Sequence, residues 1–483
     1  MGTDSPTSAS SWRSSTLLVI FTATLGLFTE NFLYGFVIPI MAYMFEVRLG
    51  QDPAYTQRYA SGMLFIMGFI CVFAAPVIGH FADQTPSRRI PLLISLVGCT
   101  AGTALVAATP NVYVVFIGRV IQGAAGTGAW IVSFAMLTDS IDKKHFGKTL
   151  GFASSFVTAG VLTGPAVSGA LLEWLGYWPA WSVPFALLAI DLVARLLVVE
   201  VKKPQKSSAA DQRNPNGEEV GESTGLLAAA ESSANDDDDD EAPKQDHTTT
   251  TTSPPSKKSS AFYTIMLTNP SILAALANII TFSLIVAAFD ATFPLHLRQA
   301  FHWGPAAVGS IFLGIQIPAM LLAPLIGWLR DRVGLRWPTA LGWLLMAPVM
   351  WFLGVPGGSK LPGIDSDARG EAAFVAGIIA LGLVSPLTRG SGGYQMVATL
   401  RDLEASDPAL FGPHGGSTRL FSLTEVAFSG GLMLGPIVGG FLSDTVGFYY
   451  MMCVLAVMCL AVSITSAMFL TTTTKGRNRS GEV

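Results

Sequence analysis

The chain reads Gly160-Val-Leu-Thr-Gly164-Pro165-Ala-Val-Ser168-Gly169 in its first half and Gly431-Leu-Met-Leu-Gly435-Pro436-Ile-Val-Gly439-Gly440 in its second half. Both stretches follow the pattern G-x-x-x-G-P-x-x-[SG]-G and lie inside apolar segments. A second pattern also occurs twice, as Ala75-Pro-Val-Ile-Gly79-His-Phe-Ala-Asp83 and as Ala323-Pro-Leu-Ile-Gly327-Trp-Leu-Arg-Asp331. In each half, the copy of the second pattern precedes the copy of the glycine-proline pattern. This repetition predicts an internally duplicated protein made of two related helical halves.

The composition is not that of a soluble protein. Of the 483 residues, 51% are hydrophobic and 13% are charged, whereas a soluble domain carries about 25% charged residues. The four cysteines, Cys71, Cys99, Cys453 and Cys459, lie in apolar segments without C-x-x-C spacing. We interpret them as packing residues rather than disulfides or metal ligands. We expect no metal, no cofactor, no nucleic-acid partner and no enzymatic activity.

Twelve apolar segments are long enough to cross a membrane, because a spanning helix needs roughly 20 apolar residues. Six precede and six follow a polar stretch in the middle of the chain. We therefore predict an all-α membrane protein with twelve transmembrane helices in two six-helix halves. The predicted spans are residues 15–43, 60–82, 90–109, 111–136, 148–173, 178–199, 268–296, 305–329, 336–355, 372–396, 418–442 and 447–471.

The polar stretch at 200–262 is rich in Ser, Thr, Pro, Asn and Asp and includes the acidic run Asp236 to Asp240. Such a composition buries too little apolar surface to fold alone, so we predict a disordered cytoplasmic linker. The acidic run is interpreted as a solvating segment rather than a binding site for calcium or a basic partner. The remaining chain divides into a tail at 1–14, helical halves at 15–199 and 263–471, and a tail at 472–483.

The distribution of Lys and Arg predicts the orientation, because cytoplasmic loops carry an excess of these residues. With both termini in the cytoplasm, 21 of the 29 basic residues fall on the cytoplasmic side and 5 fall in outer loops. The other three, Arg119, Arg195 and Arg389, lie within predicted spans. The glycosylation sequon at Asn478 would then be cytoplasmic and unused.

Charged residues within spans are candidates for function, since an idle charge in the membrane interior is costly. Glu30 and the adjacent Asn31 lie in helix 1, Asp290 in helix 7 and Glu425 in helix 11. A carboxyl group in a low-dielectric cavity can alternate between protonated and charged forms, which coupling of a proton to a solute requires. The ionised form can pair with a cationic solute. The alternative is a buried pair that only fixes helix packing.

We expect different roles for the three arginines that lie within predicted spans. Arg119 opens helix 4 as Gly118-Arg119-Val-Ile-Gln122-Gly123, and we favour a coupling role over snorkelling to the outer interface. Arg195 follows Asp191 by four residues, so the two can pair on one helix face in a structural role. Arg389 lies in a glycine-rich part of helix 10, where function and structure stay equally open.

The repeated patterns predict packing and gating rather than contact with a solute. Small residues four apart let helices approach closely, and proline bends a helix. The second pattern ends beside basic residues, so an Asp–Arg latch would hold one conformation and break in another. The residues assigned to gating are Gly79, Asp83, Gln122, Gly123, Gly160, Gly164, Pro165, Gly169, Gly327, Asp331, Arg332, Gly435, Pro436 and Gly440.

Together these patterns resemble the major facilitator superfamily over nearly the whole chain apart from the linker and tails. The stretch Gly327-x-x-x-Asp331-Arg332-x-Gly334-x-Arg336 matches the loop motif of that family, and Arg119-x-x-Gln122-Gly123 resembles its helix 4 motif linked to proton coupling. The glycine-proline motif of helix 5 is typical of its antiporters. The chain looks most like the twelve-span drug:proton antiporters, especially vesicular amine transporters. The residues shared with the latter are Glu30-Asn31 with Pro39, Asp290 with Pro294, and Glu425.

The chain also departs from these relatives. Gln84, Pro86 and Ser87 alter the first loop motif, Arg389 stands where amine transporters carry an acid, and Met67 stands where they carry a lysine.

The resemblance implies a secondary transporter of small cationic or apolar organic molecules, working by antiport. The proton gradient would supply the energy, since no ATP-binding P-loop occurs. The alternatives are a receptor that binds solute without moving it, and a uniporter or symporter of an anionic metabolite.

Cation recognition would use aromatic faces as well as carboxylates, with Phe32, Tyr34, Trp130 and Phe293 as the expected cavity aromatics. The expected partners are a small-molecule substrate, protons and the lipid bilayer, and the expected state is a monomer.

We expect the protein in the plasma membrane or the vacuolar membrane. The stretch Glu222-Ser-Thr-Gly-Leu226-Leu227 resembles an acidic dileucine sorting signal, which favours an acidic organelle.

Overall fold

The computed structural model describes residues 16–84, 89–140, 146–197, 259–357, 368–406 and 417–471, and these ranges contain helices and no strand. The first half comprises α1 Thr16–Tyr43, α2 Thr56–Gln84, α3 Arg89–Ala108, α4 Val112–Ser140, α5 Phe146–Leu175 and α6 Tyr177–Leu197. A short helix, Ser259–Thr268, leads into the second half. That half comprises α7 Pro270–Phe301, α8 Pro305–Val333, α9 Arg336–Leu353, a broken α10 (Ala368–Val384 and Ser391–Ser406), α11 Ser417–Thr445 and α12 Phe448–Phe469.

Eleven spans in the described ranges are long and apolar enough to cross a membrane. α9 occupies the position of the remaining predicted span, with one face buried around Trp343 and another exposing Leu341 and Leu344. Large apolar side chains such as Leu321 and Phe441 are also exposed, as expected for a surface that faces lipid. The fold is therefore all-α with two sets of six helices, as predicted. Both tails, the dileucine stretch and all but the end of the linker lie outside the described residues.

The glycine-proline motifs bring helices into backbone contact within each half. A Cβ atom at Gly164 would lie 2.7 Å from the carbonyl oxygen of Phe32, and one at Gly435 would lie 2.9 Å from the amide nitrogen of Ala288. α5 therefore packs directly on α1, and α11 packs on α7, because glycine lets two backbones touch.

The last glycine of each motif contacts the opposite half. A Cβ atom at Gly169 would lie 2.8 Å from the carbonyl carbon of Pro305 in α8, and one at Gly440 would lie 2.8 Å from Cβ of Ser61 in α2. The halves thus meet along two related helix pairs, α5 with α8 and α2 with α11. Each motif joins one helix both to its own half and to the other.

Polar side chains also stabilise the interior of each half. Arg195 donates to Asp191 at 2.8 Å and to Ser133 at 3.0 Å, and all three side chains are buried, so the pairing predicted from their spacing is confirmed. In the second half, Trp343 Nε1 donates to Asn278 Oδ1 at 2.6 Å. These contacts leave Arg195 with a structural role.

Candidate functional site

A buried acid lies where the two halves meet. Asp290 on α7 is 5% exposed, and its Oδ2 accepts a hydrogen bond from the hydroxyl of Tyr34 on α1 at 2.9 Å. Pro294 bends α7 one turn later. Because the donor belongs to the first half and the acid to the second, any change in the charge of Asp290 acts directly on the contact between halves.

A second acid, Glu30, lies among helices of the first half. Its Oε1 accepts a hydrogen bond from the Cys99 thiol of α3 at 3.2 Å. Its Oε2 lies against Gly126 of α4, where a Cβ atom would be only 2.5 Å away. Glycine at position 126 therefore makes room for the carboxylate.

Arg119 on α4 is fully buried and incompletely hydrogen-bonded. Its Nη1 donates to Gln122 at 2.6 Å, and Gln122 in turn donates to Thr103 on α3 at 2.9 Å. Nε and Nη2 of Arg119 have no hydrogen-bond partner among the described residues. The guanidinium lies near the side chains of Tyr34 and Cys71, so a buried cation lies close to the Tyr34–Asp290 pair.

The third acid, Glu425 on α11, is half-buried and forms no hydrogen bond with a described residue. Cys71 of α2 lies near this acid and also near Glu30 and Arg119. The structure therefore gathers Glu30, Asp290, Glu425 and Arg119 around α1, α2, α4, α7 and α11. We call these four residues the charged cluster.

Other residues predicted for the site have different surroundings, and their roles stay predictions. Asn31 donates to the carbonyl oxygen of Leu27 at 2.8 Å, and its Cβ lies against Gly160 of α5. Phe32 and Phe293 are buried in the hydrophobic core of this structure, and their expected place in a substrate cavity stays a prediction. Arg389 lies away from α4 at the break in α10, where its Nη1 donates to Gln316 of α8 at 3.3 Å.

The predicted latch at the second loop motif is not formed between described residues. Asp331 and Arg332 are exposed, and Arg332 stacks on Trp328 with its guanidinium carbon 4.4 Å from the ring centroid. No salt bridge joins Asp331 to an arginine in the described ranges. The surroundings of Gly79 and the side chain of Asp83 lie outside the described part of the structure.

Polar contacts join the two halves at the end of the bundle where α1 and α7 finish, which we call the outer end in accordance with the predicted orientation. Gln57 of α2 donates to the carbonyl oxygen of Ala291, one residue after Asp290, at 2.9 Å. The other contacts are Arg298 with Glu46, Arg58 with Asp444, and the amide of Ala306 with Glu173. In this structure the halves are therefore held together at the outer end.

Comparison with known proteins assigns the family. The profile of the Major Facilitator Superfamily matches residues 19–394. The chain belongs to the major facilitator superfamily. It is accordingly an integral, multi-pass membrane protein of a transporter family, and the resemblance predicted from its motifs is confirmed.

Three similar proteins illustrate the relationship. An uncharacterised transporter of the superfamily from Schizosaccharomyces pombe is 27% identical over 94% of this chain and 95% of its own length. The vesicular acetylcholine transporter of Homo sapiens is 31% identical over 165 residues, which cover 34% of this chain and 30% of that protein. The crystal structure of the human organic anion transporter MFSD10 superposes with a TM-score of 0.57 at 15% identity, covering 93% of this chain and 99% of that one.

Proposed function

We propose that this protein exchanges small organic molecules, cationic or apolar, for protons by alternating access. The observation that carries the proposal is the position of Asp290, a buried carboxylate hydrogen-bonded to Tyr34 across the two halves. A carboxylate there can hold either a proton or a cationic substrate. Either event removes or weakens the charge that Tyr34 stabilises, and so changes the contact between halves.

Glu30 and Glu425 extend this argument to a second proton. Glu30 also has the buried Asp191–Arg195 pair nearby. Because that pair is neutral as a whole, the three carboxylates and Arg119 remain net negative when all acids are ionised. Because uncompensated charge in the membrane interior is costly, it favours uptake of protons or of a cation. Competition of the two for the same acids is what antiport requires.

The contacts at the outer end support rocking of the two halves. Pairs such as Glu46–Arg298 join the halves there, while Asp331 at the opposite end of α8 forms no ion pair with an arginine of the described ranges. A transporter that alternates must break the first set and form the second. In the proposed cycle, these contacts would belong to a state closed at the outer end.

Transport in proteoliposomes under an imposed pH gradient tests the proposal, with a panel of organic cations as substrates. Glu30→Gln, Asp290→Asn and Glu425→Gln should each reduce gradient-driven exchange, and Asp402→Asn, at an exposed acid of α10, is the matched control. Normal exchange in all three amide variants would remove the proton role. Binding without flux in the parent protein would instead identify a receptor.

An anionic substrate is the second candidate, because Arg119 keeps two buried nitrogens without a described partner. A thermal-shift screen across cationic, neutral and anionic compounds separates the two. Stabilisation by anions that disappears in Arg119→Gln but persists in Asp290→Asn would replace the cation proposal.

The membrane and orientation are proposed from the sequence alone. Cytoplasmic termini in the plasma or vacuolar membrane follow from the Lys and Arg bias and the dileucine stretch. Replacing Leu226 and Leu227 by Ala should shift a fluorescently tagged protein between membranes, and protease protection of a tag at each terminus tests the orientation.

A further inference from the structure

α10 is interrupted in its middle, whereas its counterpart in the first half, α4, is a continuous helix. Its first part ends at Val384, a tight turn follows at Ser385–Leu387, and Gly390 adopts φ +74° before the second part begins at Ser391. A broken helix leaves backbone carbonyls without their usual amide donors, and such groups need other partners inside a membrane.

One side chain from another helix supplies these partners. Nη2 of Arg330, near the end of α8, lies 2.9 Å from the carbonyl oxygen of Pro386, 3.0 Å from that of Leu387 and 2.9 Å from that of Arg389. Arg330 is 8% exposed, and its guanidinium also lies 5.8 Å from the ring centroid of Tyr394, beyond the break. It therefore contacts the turn at the break and the second part of α10.

The repeated sequence pattern links the arginine to the break. In the first copy Ala82 stands at the position of Arg330, and α4, the fourth helix of that half, runs unbroken from Val112 to Ser140. The arginine and the broken fourth helix thus occur together in one half and are both missing from the described part of the other. This pairing is expected if the arginine sustains the break.

The break also determines where Arg389 points. Arg389 is the residue before the left-handed Gly390, and its Nη1 reaches Gln316 on α8. Arg330 binds the carbonyl of the same residue and is followed in α8 by Asp331 and Arg332 of the loop motif. A displacement of the end of α8 would therefore move the backbone of Arg389.

We propose that Arg330 is a positioning residue that maintains the break in α10, sets Arg389 against Gln316, and transmits movement of the loop motif to that contact. The effect on flux rests on the proposed transport function, whereas the effect on geometry does not. All three contacts are made by one nitrogen at the far end of the arginine side chain, and the shorter lysine and glutamine side chains do not reach as far from the same backbone position.

The first experiment compares Arg330→Gln and Arg330→Lys with Arg401→Gln, at an exposed arginine of α10. Both Arg330 variants should lower the Tm in detergent by about 5 °C, as expected when buried carbonyls lose a charged donor, and should lower proteoliposome flux at least about fivefold. A Tm and flux equal to those of Arg401→Gln would overturn the proposal.

The second experiment measures the geometry without transport. Gln316 and Arg389 meet at the tips of long side chains, so a direct disulfide, which needs close Cβ atoms, is not the probe. In the double variant Gln316→Cys/Arg389→Cys, a flexible bifunctional thiol reagent long enough to replace both side chains should join α8 to α10. Adding Arg330→Lys should reduce the cross-link yield while near-ultraviolet circular dichroism still reports a folded protein. An unchanged yield sinks the positioning role, even if the parent protein proves not to transport. If Arg330→Lys does not fold, the substitutions Pro386→Ala and Gly390→Ala are added to it. They should let α10 form a continuous helix, which no longer needs Arg330 as a donor to its carbonyl groups.

In the protein that carries Pro386→Ala and Gly390→Ala, adding Arg330→Gln should no longer lower the Tm but should still lower the flux. Recovery of both would show that the break is dispensable and would overturn the proposal. Recovery of neither would show that Arg330 acts elsewhere, with the same consequence.

Discussion

At the level of single residues, the sequence reveals which groups are unusual but not which groups they meet. Glu30, Asp290 and Glu425 stand out because each is an acid in an apolar helix. Tyr34 is expected in the cavity as an aromatic, but its bond to Asp290, like the positions of Cys71 and Cys99, joins different helices, so no local pattern could identify these contacts. Arg330 directly follows the predicted span 305–329, and its difference from Ala82 in the repeat is the feature of the sequence that could reveal a separate role.

Replacing Gly126 by Ala should alter Glu30 without unfolding the protein. The added methyl group would come within 2.5 Å of Glu30 Oε2, and a flexible carboxylate can turn away for about 1 kcal/mol or less. Gly126→Ala should therefore keep its Tm but slow pH-gradient exchange. Gly430→Ala, at a helical glycine with open space around it, is the control. Equal exchange rates for the two variants would mean that the position of Glu30 is unimportant.

Removing the hydroxyl of Tyr34 should weaken the contact between the halves. Tyr34→Phe deletes the hydrogen bond to Asp290, and a buried bond to a charged group contributes about 1.5–3 kcal/mol. We expect a lower free energy of unfolding and an altered pH profile of exchange. Tyr43→Phe, whose ring stacks on Tyr177 within the first half, should change neither. A pH profile of Tyr34→Phe identical to that of the parent would contradict the assigned link.

At the level of helices, the glycine-proline motifs were recognisable because the spacing of small residues is itself the packing signal. The sequence identified α5 and α11 as special, and the structure adds that each packs on the first helix of its own half. The break in α10 was harder to foresee, since the residues 368–406 are apolar enough to read as one span. Gly390 marks an irregularity, but the donor that makes a break tolerable lies on α8.

A methyl group at Gly435 should destabilise the second half. It would meet the Cβ of Ala287 at 2.8 Å and the backbone of Ala288 at 2.9 Å, and neither can move without shifting α7. Such overpacking costs about 1–3 kcal/mol. Gly435→Ala should lower the Tm, whereas Gly430→Ala in the same helix should raise it slightly because alanine favours helix by up to ~1 kcal/mol. An unchanged Tm for Gly435→Ala would show that α7 and α11 are less tightly packed than described.

At the level of the whole molecule, the two halves are related in how they contact each other as well as in how each is built. Gly169 brings α5 to α8, and Gly440 brings α11 to α2, so the repeat places the same residue at both junctions. The sequence predicts the duplication and the order of helices from its motifs and hydropathy. It does not predict which end of the bundle is closed, because that depends on separate pairs such as Glu46 with Arg298.

A covalent link across one junction should stop transport. The Cβ of Ser61 lies 2.8 Å from the Cβ position of Gly440, so a shift of about 1 Å gives the separation of a disulfide. The double variant Ser61→Cys/Gly440→Cys should therefore oxidise in the outer-closed state and lose exchange, and a reducing agent should restore it. The parent protein, oxidised in parallel, controls for the four native cysteines.

The pair Gly98→Cys/Ala125→Cys provides a matched control, because its Cβ separation is also 2.8 Å but it joins α3 to α4 inside the first half. If the halves rock as rigid units, this link should leave exchange intact although it is equally strained. Loss of exchange in both variants would mean that transport requires movement within a half. Exchange that continues in the oxidised Ser61→Cys/Gly440→Cys protein would mean that α2 and α11 do not separate during the cycle, and rocking about this junction would be wrong.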